Sequence, residues 1–309
     1  MTHEPRTRRR VGPRIGQRIA TVSRLGSYVI AAAIAMTSTG VAAAQQTALP
    51  VPDSYADVAD FAVQSATIID ATIKRTREVE PTRAIGVPAH LVRLYVEADV
   101  QSVIYGREVV AIRIAYLTDQ PRQTDGRPPR LRRMRVLLFA RPVAVTNQVQ
   151  LVQPNAQLGW SAAREVTART IARELARGSV PPQITGVAQA FHVAGTVAGE
   201  SETQIFLLTA IGQPVSLSIL RRPGQQPRWA AAFGEIVDES AAVPPRYTLP
   251  WYRLACGLPD QLPRSTTQTM TEQEATTALA DYALVRRDVG PCDRTPAPAV
   301  VPPEPTRRP

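Results

Sequence analysis

The chain has 309 residues, with 36 basic and 26 acidic side chains and a formal net charge of +10. Seven of the arginines and one acid lie in the first 27 residues, so a chain without residues 1–44 keeps 29 basic and 25 acidic residues, a charge of +4. The strongly basic character therefore belongs mostly to the N-terminal segment. Lys74 is the only lysine, which argues against Schiff-base chemistry.

The N-terminal segment has the arrangement of a cleavable export signal. Its arginine-rich start is followed by an almost wholly apolar run at residues 28–36 and by small residues at 41–44. The apolar run ends at Thr37, well short of the roughly 20 residues that a membrane anchor needs. The pattern predicts that residues 1–44 are a signal peptide, cleaved after Ala44, and that the mature protein is periplasmic or secreted.

Residues 45–155 are predicted to form an antiparallel β unit. Asp53 or Ser54 is placed to cap a short helix, and the residue preferences change to strand near Ser65. Residues 90–100 alternate apolar and polar side chains, and the runs 110–116, 131–140 and 149–152 repeat the strand signal. These runs predict a five-stranded sheet that is either barrel-like or strongly curled.

Residues 156–245 are predicted to form a helix followed by a four-stranded antiparallel meander. The apolar period becomes helical between Ser161 and Arg177, and Gly178 ends the helix. Four extended runs follow, at residues 187–193, 204–209, 215–220 and 228–237. A helix can cover one face of such a sheet, so the predicted fold class is α+β and β-rich.

The C-terminal part is predicted to be helical and cross-linked. Thr271 and Glu274 form a capping box that opens a helix to about Arg287. Cys256 and Cys292 are the only cysteines, and an even pair in an exported chain usually forms a disulfide. Residues 246–292 are therefore predicted to be a disulfide-linked helical segment, and the proline-rich residues 293–309 a disordered tail.

Few residues are candidates for chemistry. The sequence contains no nucleophile elbow, P-loop, dinucleotide fingerprint, zincin motif or paired CxxC, so neither a cofactor nor a metal site is predicted. His192 lies in a predicted strand, and Glu200 and Glu202 lie in the turn after it. His192 is a candidate catalytic base, and Glu200 and Glu202, with the hydroxyl of Ser201 between them, are candidates for an acid and base pair or for a hard-cation site. A solvated hairpin beside an ordinary strand histidine is the simpler interpretation, and we favour it.

A basic cluster that leads into the predicted strand at residues 131–140 is the best candidate for a partner surface. It consists of Arg127, Arg130, Arg132, Arg133 and Arg135. The aromatic side chains that stack bases in a single-strand groove are missing, so an anionic envelope component fits the cluster better than nucleic acid. A solvated strand edge is the alternative. No membrane span is predicted after cleavage.

Three segments, at residues 190–204, 221–225 and 234–239, resemble a group of uncharacterised exported bacterial proteins with no assigned activity. The resemblance implies export and a β-rich fold, and it transfers no site residue. We expect a non-enzymatic binding or envelope-associated protein. The alternative is a periplasmic hydrolase that uses carboxylates around Glu200 and Glu202. It requires a concave pocket that holds at least two of His192, Glu200, Glu202 and a nearby donor.

Overall fold

A computed structural model describes residues 54–295, except residues 109, 146, 179 and 235–240. All of these lie in the second of two units, Met1–Leu49 and Pro50–Pro309. The predicted signal peptide and the part of the predicted tail from residue 296 onward lie outside the described residues.

The first sheet follows a short helix, α1 (Tyr55–Ala62), which the Ser54 side chain caps by accepting the Asp57 N–H at 3.1 Å. Its strands are β1 (Thr67–Glu78), β2 (Leu91–Tyr105), β3 (Arg113–Pro121), β4 (Arg135–Pro142), β5 (Val149–Leu151) and β6 (Gln157–Gly159). The antiparallel order is β3-β2-β1-β4-β5, and β6 also pairs with β4. Strand β4 begins four residues later than predicted, because Arg133 has a positive φ of 70°.

The two edges of this sheet approach each other without closing it. An isolated parallel bridge joins Ala115 to Gln148, and the Asp119 N–H donates to the Pro154 carbonyl oxygen at 2.8 Å. Strand β5 has only three residues, too few to continue the bridge into a ladder. The sheet is therefore curled rather than a barrel, which decides between the two predicted forms.

The second sheet is the predicted meander. Helix α2 (Ala162–Ala176) precedes β7 (Ile184–Ala194), β8 (Ser201–Thr209), β9 (Val215–Arg221) and β10 (Arg228–Ala232). The strands lie in the antiparallel order β10-β9-β8-β7. Ser161 caps α2 by accepting the Arg164 N–H at 3.0 Å, and Ala168, Ile171 and Leu175 bury one side of the helix.

Two helices complete the described chain, α3 (Leu249–Gly257) and α4 (Glu272–Val289). The predicted capping box at the start of α4 is present, with the Thr271 N–H donating to Glu274 Oε2 at 2.8 Å. Tyr282 and Val285 of α4 are buried, and the Tyr282 hydroxyl donates to the Pro259 carbonyl oxygen at 2.5 Å. Buried apolar side chains from both sheets and all four helices form one continuous core.

A disulfide joins Cys256 to Cys292, with the two Cα atoms 4.8 Å apart. Immediately after it, the Asp293 carboxylate accepts the Tyr55 and Ala56 N–H groups at 2.9 and 3.0 Å, and so caps the N-terminus of α1. Arg294 donates two hydrogen bonds to Asp60, at 2.6 and 2.7 Å. We call residues 292–295 the C-terminal clasp. The first residues of the predicted tail are thus bonded to the first helix.

Candidate functional site

An open groove of about 1040 Å³ lies between α2 and the first sheet. The start of β1, the end of β2, the start of β3 and the connection between β4 and β5 form its other walls. Its apolar lining includes Ile104, Val110, Ile114, Val149, Ala172 and Leu175. Three cations also line it, namely Arg107, Arg169 and Arg173. We call this cavity the arginine groove. Its size and partly apolar lining are typical of a small-molecule site.

Helix α2 supplies two of the cations from one face. Arg169 and Arg173 are four residues apart, as are Ala172 and Ala176, and the spacing places all four on the side of the helix that lines the groove. The two alanines are small, so they leave space between the guanidinium groups. The neighbouring Ile171 and Leu175 are buried and hold the helix against the core.

Arg169 is held in position by contacts outside the groove. Its Nε donates to Glu165 Oε1 at 2.9 Å, and its Nη2 lies 3.5 Å from Ser102 Oγ. Glu165 also accepts the Trp160 indole N–H at 2.7 Å. The bond from Trp160, followed by that from Arg169, lowers the pKa of Glu165 below its usual value, so this anchor stays charged at neutral pH. Arg169 is therefore oriented before any ligand arrives.

Arg107 enters the groove from the opposite wall because of a tight turn at Gly106. Gly106 has a φ of 126°, and a Cβ there would lie 2.9 Å from Thr67 Oγ1, so only glycine fits. The Thr67 hydroxyl donates to the Tyr105 carbonyl oxygen at 3.0 Å and holds the end of β2 against β1. Neither Arg107 nor Arg173 forms an ion pair with a described residue, and both are exposed.

The charges of the groove favour an anion. Glu108 is the only acidic residue in the described lining, against three arginines, and the floor is apolar. A ligand with an anionic group and an apolar body would satisfy both parts of this surface.

The five arginines of the predicted basic cluster are all exposed, but they lie in two different settings. Arg127, Arg130, Arg132 and Arg133 are exposed in the connection before β4, where Arg127 lies 3.7 Å from Asp125. Arg135 is different, because it binds the buried Asp70 through two hydrogen bonds of 2.8 and 2.6 Å. It also stacks on Trp160, with its Cζ 3.9 Å from the ring centroid, and contacts Glu165 at 3.3 Å. Arg135 therefore links β1, β4 and α2.

His192 belongs to a hydrogen-bonded chain that ends in a buried carboxylate. Its Nδ1 lies 2.8 Å from Thr203 Oγ1, and Thr203 donates to Asp281 Oδ2 at 2.5 Å. The Arg221 Nε donates to the other oxygen of Asp281 at 2.7 Å. Because the single hydroxyl proton of Thr203 goes to Asp281, its oxygen accepts the Nδ1–H of His192. The chain of hydrogen bonds ties α4 to the second sheet.

The two glutamates do not join His192 in a site. His192 lies opposite Thr203 and Glu202 lies opposite Val193, so His192 and Glu202 are on opposite faces of the sheet. Glu202 accepts the Gln204 amide at 2.8 Å, and Glu200 packs closely over Gly195 in the hairpin turn. Three cavities of about 880 to 1040 Å³ lie among the described residues, and none of His192, Glu200 and Glu202 lines any of these three.

The arginine groove was not predicted from the sequence. The spacing of Arg169 and Arg173 around alanines was visible within the predicted helix, and it is the signal that could have identified one wall. Arg107 is 62 residues before Arg169 in the chain, so its place on the other wall depends on the fold.

No model of a known protein family matches this chain, and a search of curated proteins also found no match. No helix among residues 54–295 is both long and apolar enough to cross a membrane. Within the same described residues, no group of three or more His, Cys, Asp or Glu side chains is arranged to hold a metal ion.

Proposed function

We propose that the chain is an exported, non-enzymatic binding protein that takes an anionic, partly apolar component of the cell envelope into the arginine groove. The observation that carries the proposal is the placement of Arg107, Arg169 and Arg173 around an apolar floor. Two of these cations have no ion-pair partner among the described residues, and the third is already oriented by Glu165. The N-terminal pattern and the cysteine pair support a periplasmic or secreted location.

Both parts of the ligand are needed for useful affinity. Each methylene group removed from water contributes about 0.8 kcal/mol, and an exposed ion pair contributes up to about 1 kcal/mol. A free anion that contacts two or three exposed arginines would bind only weakly. An acyl chain of moderate length supplies the larger share, and the arginines select the charged head group.

The hydrolase alternative has less support. His192 and Glu202 lie on opposite faces of one sheet, and Thr203, the hydroxyl beside His192, is buried. None of the candidate side chains lines the arginine groove or either of the two other cavities of about 880 and 1020 Å³.

Calorimetric titration with dodecyl phosphate, kept below its micelle concentration, tests the proposal. We expect saturable binding of one equivalent of dodecyl phosphate. Inorganic phosphate, which carries only the head group, and dodecyl maltoside, which carries only the chain, should bind at least about tenfold more weakly, a loss of about 1.4 kcal/mol. Equal binding of dodecyl phosphate and dodecyl maltoside, or no saturable binding of dodecyl phosphate, would contradict the proposal.

Two arginine variants locate the binding site. Arg107→Gln combined with Arg173→Gln should weaken dodecyl phosphate binding by about tenfold or more, because two head-group contacts are lost. The matched control is Arg177→Gln, since Arg177 is an exposed arginine one turn beyond Arg173 and does not line the groove. A comparable loss in the control would place the ligand elsewhere.

The location has its own test. Expression with the native N-terminus, followed by intact-mass measurement of periplasmic material, should give a chain that begins at Gln45, because small residues precede the cut after Ala44. A chain that keeps residues 28–36 and sediments with membranes would contradict export by a cleaved signal.

A further inference from the structure

The second sheet has two unlike faces. Cross-strand pairs share a face, so the pairs His192 with Thr203 and Ala190 with Ile205 define the inner face, which is buried and bonded to α4 through Thr203. The alternate residues point the other way. Five of them are apolar and 37% to 65% exposed, namely Phe191, Val193, Phe206, Leu208 and Leu220. We call this surface the outer face.

The outer face is organised as a packed surface. Phe191 and Phe206 meet edge to face, with ring centroids 5.9 Å apart. The rest of the chain lies elsewhere around the sheet, since β7 packs against α3, α4 and the turn at Arg264–Thr267, and Ala231 of β10 bridges to Ala242. A cluster of exposed apolar side chains on one face of a sheet is typical of an interaction surface.

Two opposite charges lie on the outer face in one row. Val193, Glu202, Leu220 and Arg228 are aligned across β7, β8, β9 and β10 by direct pairing. Glu202 and Arg228 are therefore two strands apart, about 10 Å, and neither forms an ion pair with a described residue. The row thus presents an unpaired acid on one side of Leu220 and an unpaired base on the other.

This charge pattern is complementary to itself. Aligned sheets pack face to face about 10 Å apart. If a twofold axis runs parallel to the strands, between β8 and β9, then β8 of one copy lies opposite β9 of the other. Glu202 of one copy then faces Leu220 of the second copy, and Arg228 of the second copy is one strand further along. The same approach of Glu202 to Arg228 occurs on the other side of the axis. Phe206 and Leu208, both in β8, lie beside the axis and near their own symmetry copies, and Phe191 lies one strand further out. We infer that the outer face is the homodimer interface of this protein.

Sedimentation velocity over a wide concentration range tests the inference. We expect a concentration-dependent dimer of the wild-type chain. Leu208→Lys should weaken the dimer by about tenfold or more, because it places a charge in the apolar contact. The matched control is Leu279→Lys, since Leu279 has a similar exposure (43% against 49%) but lies on α4. Val193→Lys serves as the second variant if Leu208→Lys does not fold, as judged by thermal unfolding.

A charge exchange distinguishes this dimer from other uses of the face. Glu202→Arg alone and Arg228→Glu alone should each weaken the dimer, and the double variant should restore wild-type affinity to within about threefold. The inference is overturned if the wild-type chain is monomeric at all concentrations, if the double variant fails to restore affinity, or if Leu279→Lys acts like Leu208→Lys. Sedimentation of a monomeric chain with vesicles of anionic phospholipid, lost in Leu208→Lys but kept in the Arg107→Gln and Arg173→Gln double variant, would assign the face to a membrane surface instead.

Discussion

Two buried aspartates each tie a helix to a sheet, and they differ in how many partners hold them. Asp70 in β1 is held by Arg135 alone among the described residues, and Arg135 continues to Glu165 in α2. Asp281 in α4 is held by both Arg221 and Thr203 of the second sheet. A buried carboxylate that loses its only partner keeps its full desolvation cost. The comparison therefore predicts that the two arginines are not equally important for stability.

Arg135→Gln should have the largest effect. It leaves Asp70 buried without a charged partner, which typically costs about 3 to 5 kcal/mol in the free energy of unfolding. Denaturant unfolding measures the loss. Arg132→Gln, at an exposed neighbour outside the strand, should change stability by less than about 0.5 kcal/mol. Adding Asp70→Asn to Arg135→Gln should recover part of the loss, and a double variant as unstable as the single one would contradict the explanation.

Reduction of Cys256 and Cys292 should have the next largest effect. The bond closes a loop of 36 residues, for which chain entropy gives about 3 to 4 kcal/mol. The loss should appear first in α1, because the clasp that caps its Tyr55 and Ala56 N–H groups is released. Helix α4 should stay protected, since Asp281 and Tyr282 hold it independently of the bond.

Amide hydrogen exchange before and after reduction measures this difference. Equal loss of protection in α1 and α4 would mean that the disulfide, rather than the Asp281 contacts, holds α4 in place. Asp293→Asn in the oxidised protein is the matched variant, because it weakens the same cap and leaves the bond intact.

Arg221→Gln should cost less than Arg135→Gln, about 2 to 3 kcal/mol, because Thr203 still donates to Asp281. Adding Thr203→Val removes the second partner and should bring the total loss to at least that of Arg135→Gln. Thermal and denaturant unfolding of the single and double variants give the comparison directly. If Arg221→Gln lowers the free energy of unfolding more than Arg135→Gln does, the number of partners left to the buried aspartate does not determine the loss of stability.

The smallest effect concerns pH. The folded-state pKa of Glu165 is lowered, so its stabilising contribution is fully present above its unfolded pKa of about 4.3 and is lost as the pH falls through the folded value. Glu165→Gln should therefore lower Tm near neutral pH, by an amount corresponding to about 1 kcal/mol or less, and the difference from wild type should shrink in acid. Glu108→Gln, at an exposed acid without a described ion pair, is the control.

Local sequence signals predicted most of the secondary structure, whereas the charged contacts between helices and sheets depended on the fold. Ser54 and the Thr271–Glu274 capping box bind backbone groups within four residues of the chain, so both caps could be predicted from the sequence. Strand β6 has three residues, too few for a periodic signal. The bond from Arg135 to Asp70 was not predicted, because the two residues are 65 positions apart in the chain. The bond between Asp281 and Arg221, which are 60 residues apart, was not predicted for the same reason. Nor was the wall of the arginine groove that contains Arg107.

The C-terminal clasp also brings the two ends of the described chain together, with the Tyr55 N–H 2.9 Å from an Asp293 carboxylate oxygen. Ends that lie together can be joined by a short glycine and serine linker from Thr295 to Ser54 without moving either sheet. New ends can then be opened at Gly212, in the exposed turn between β8 and β9. We expect such a circular permutant of the described residues to keep the same contacts between helices and sheets in a different chain order.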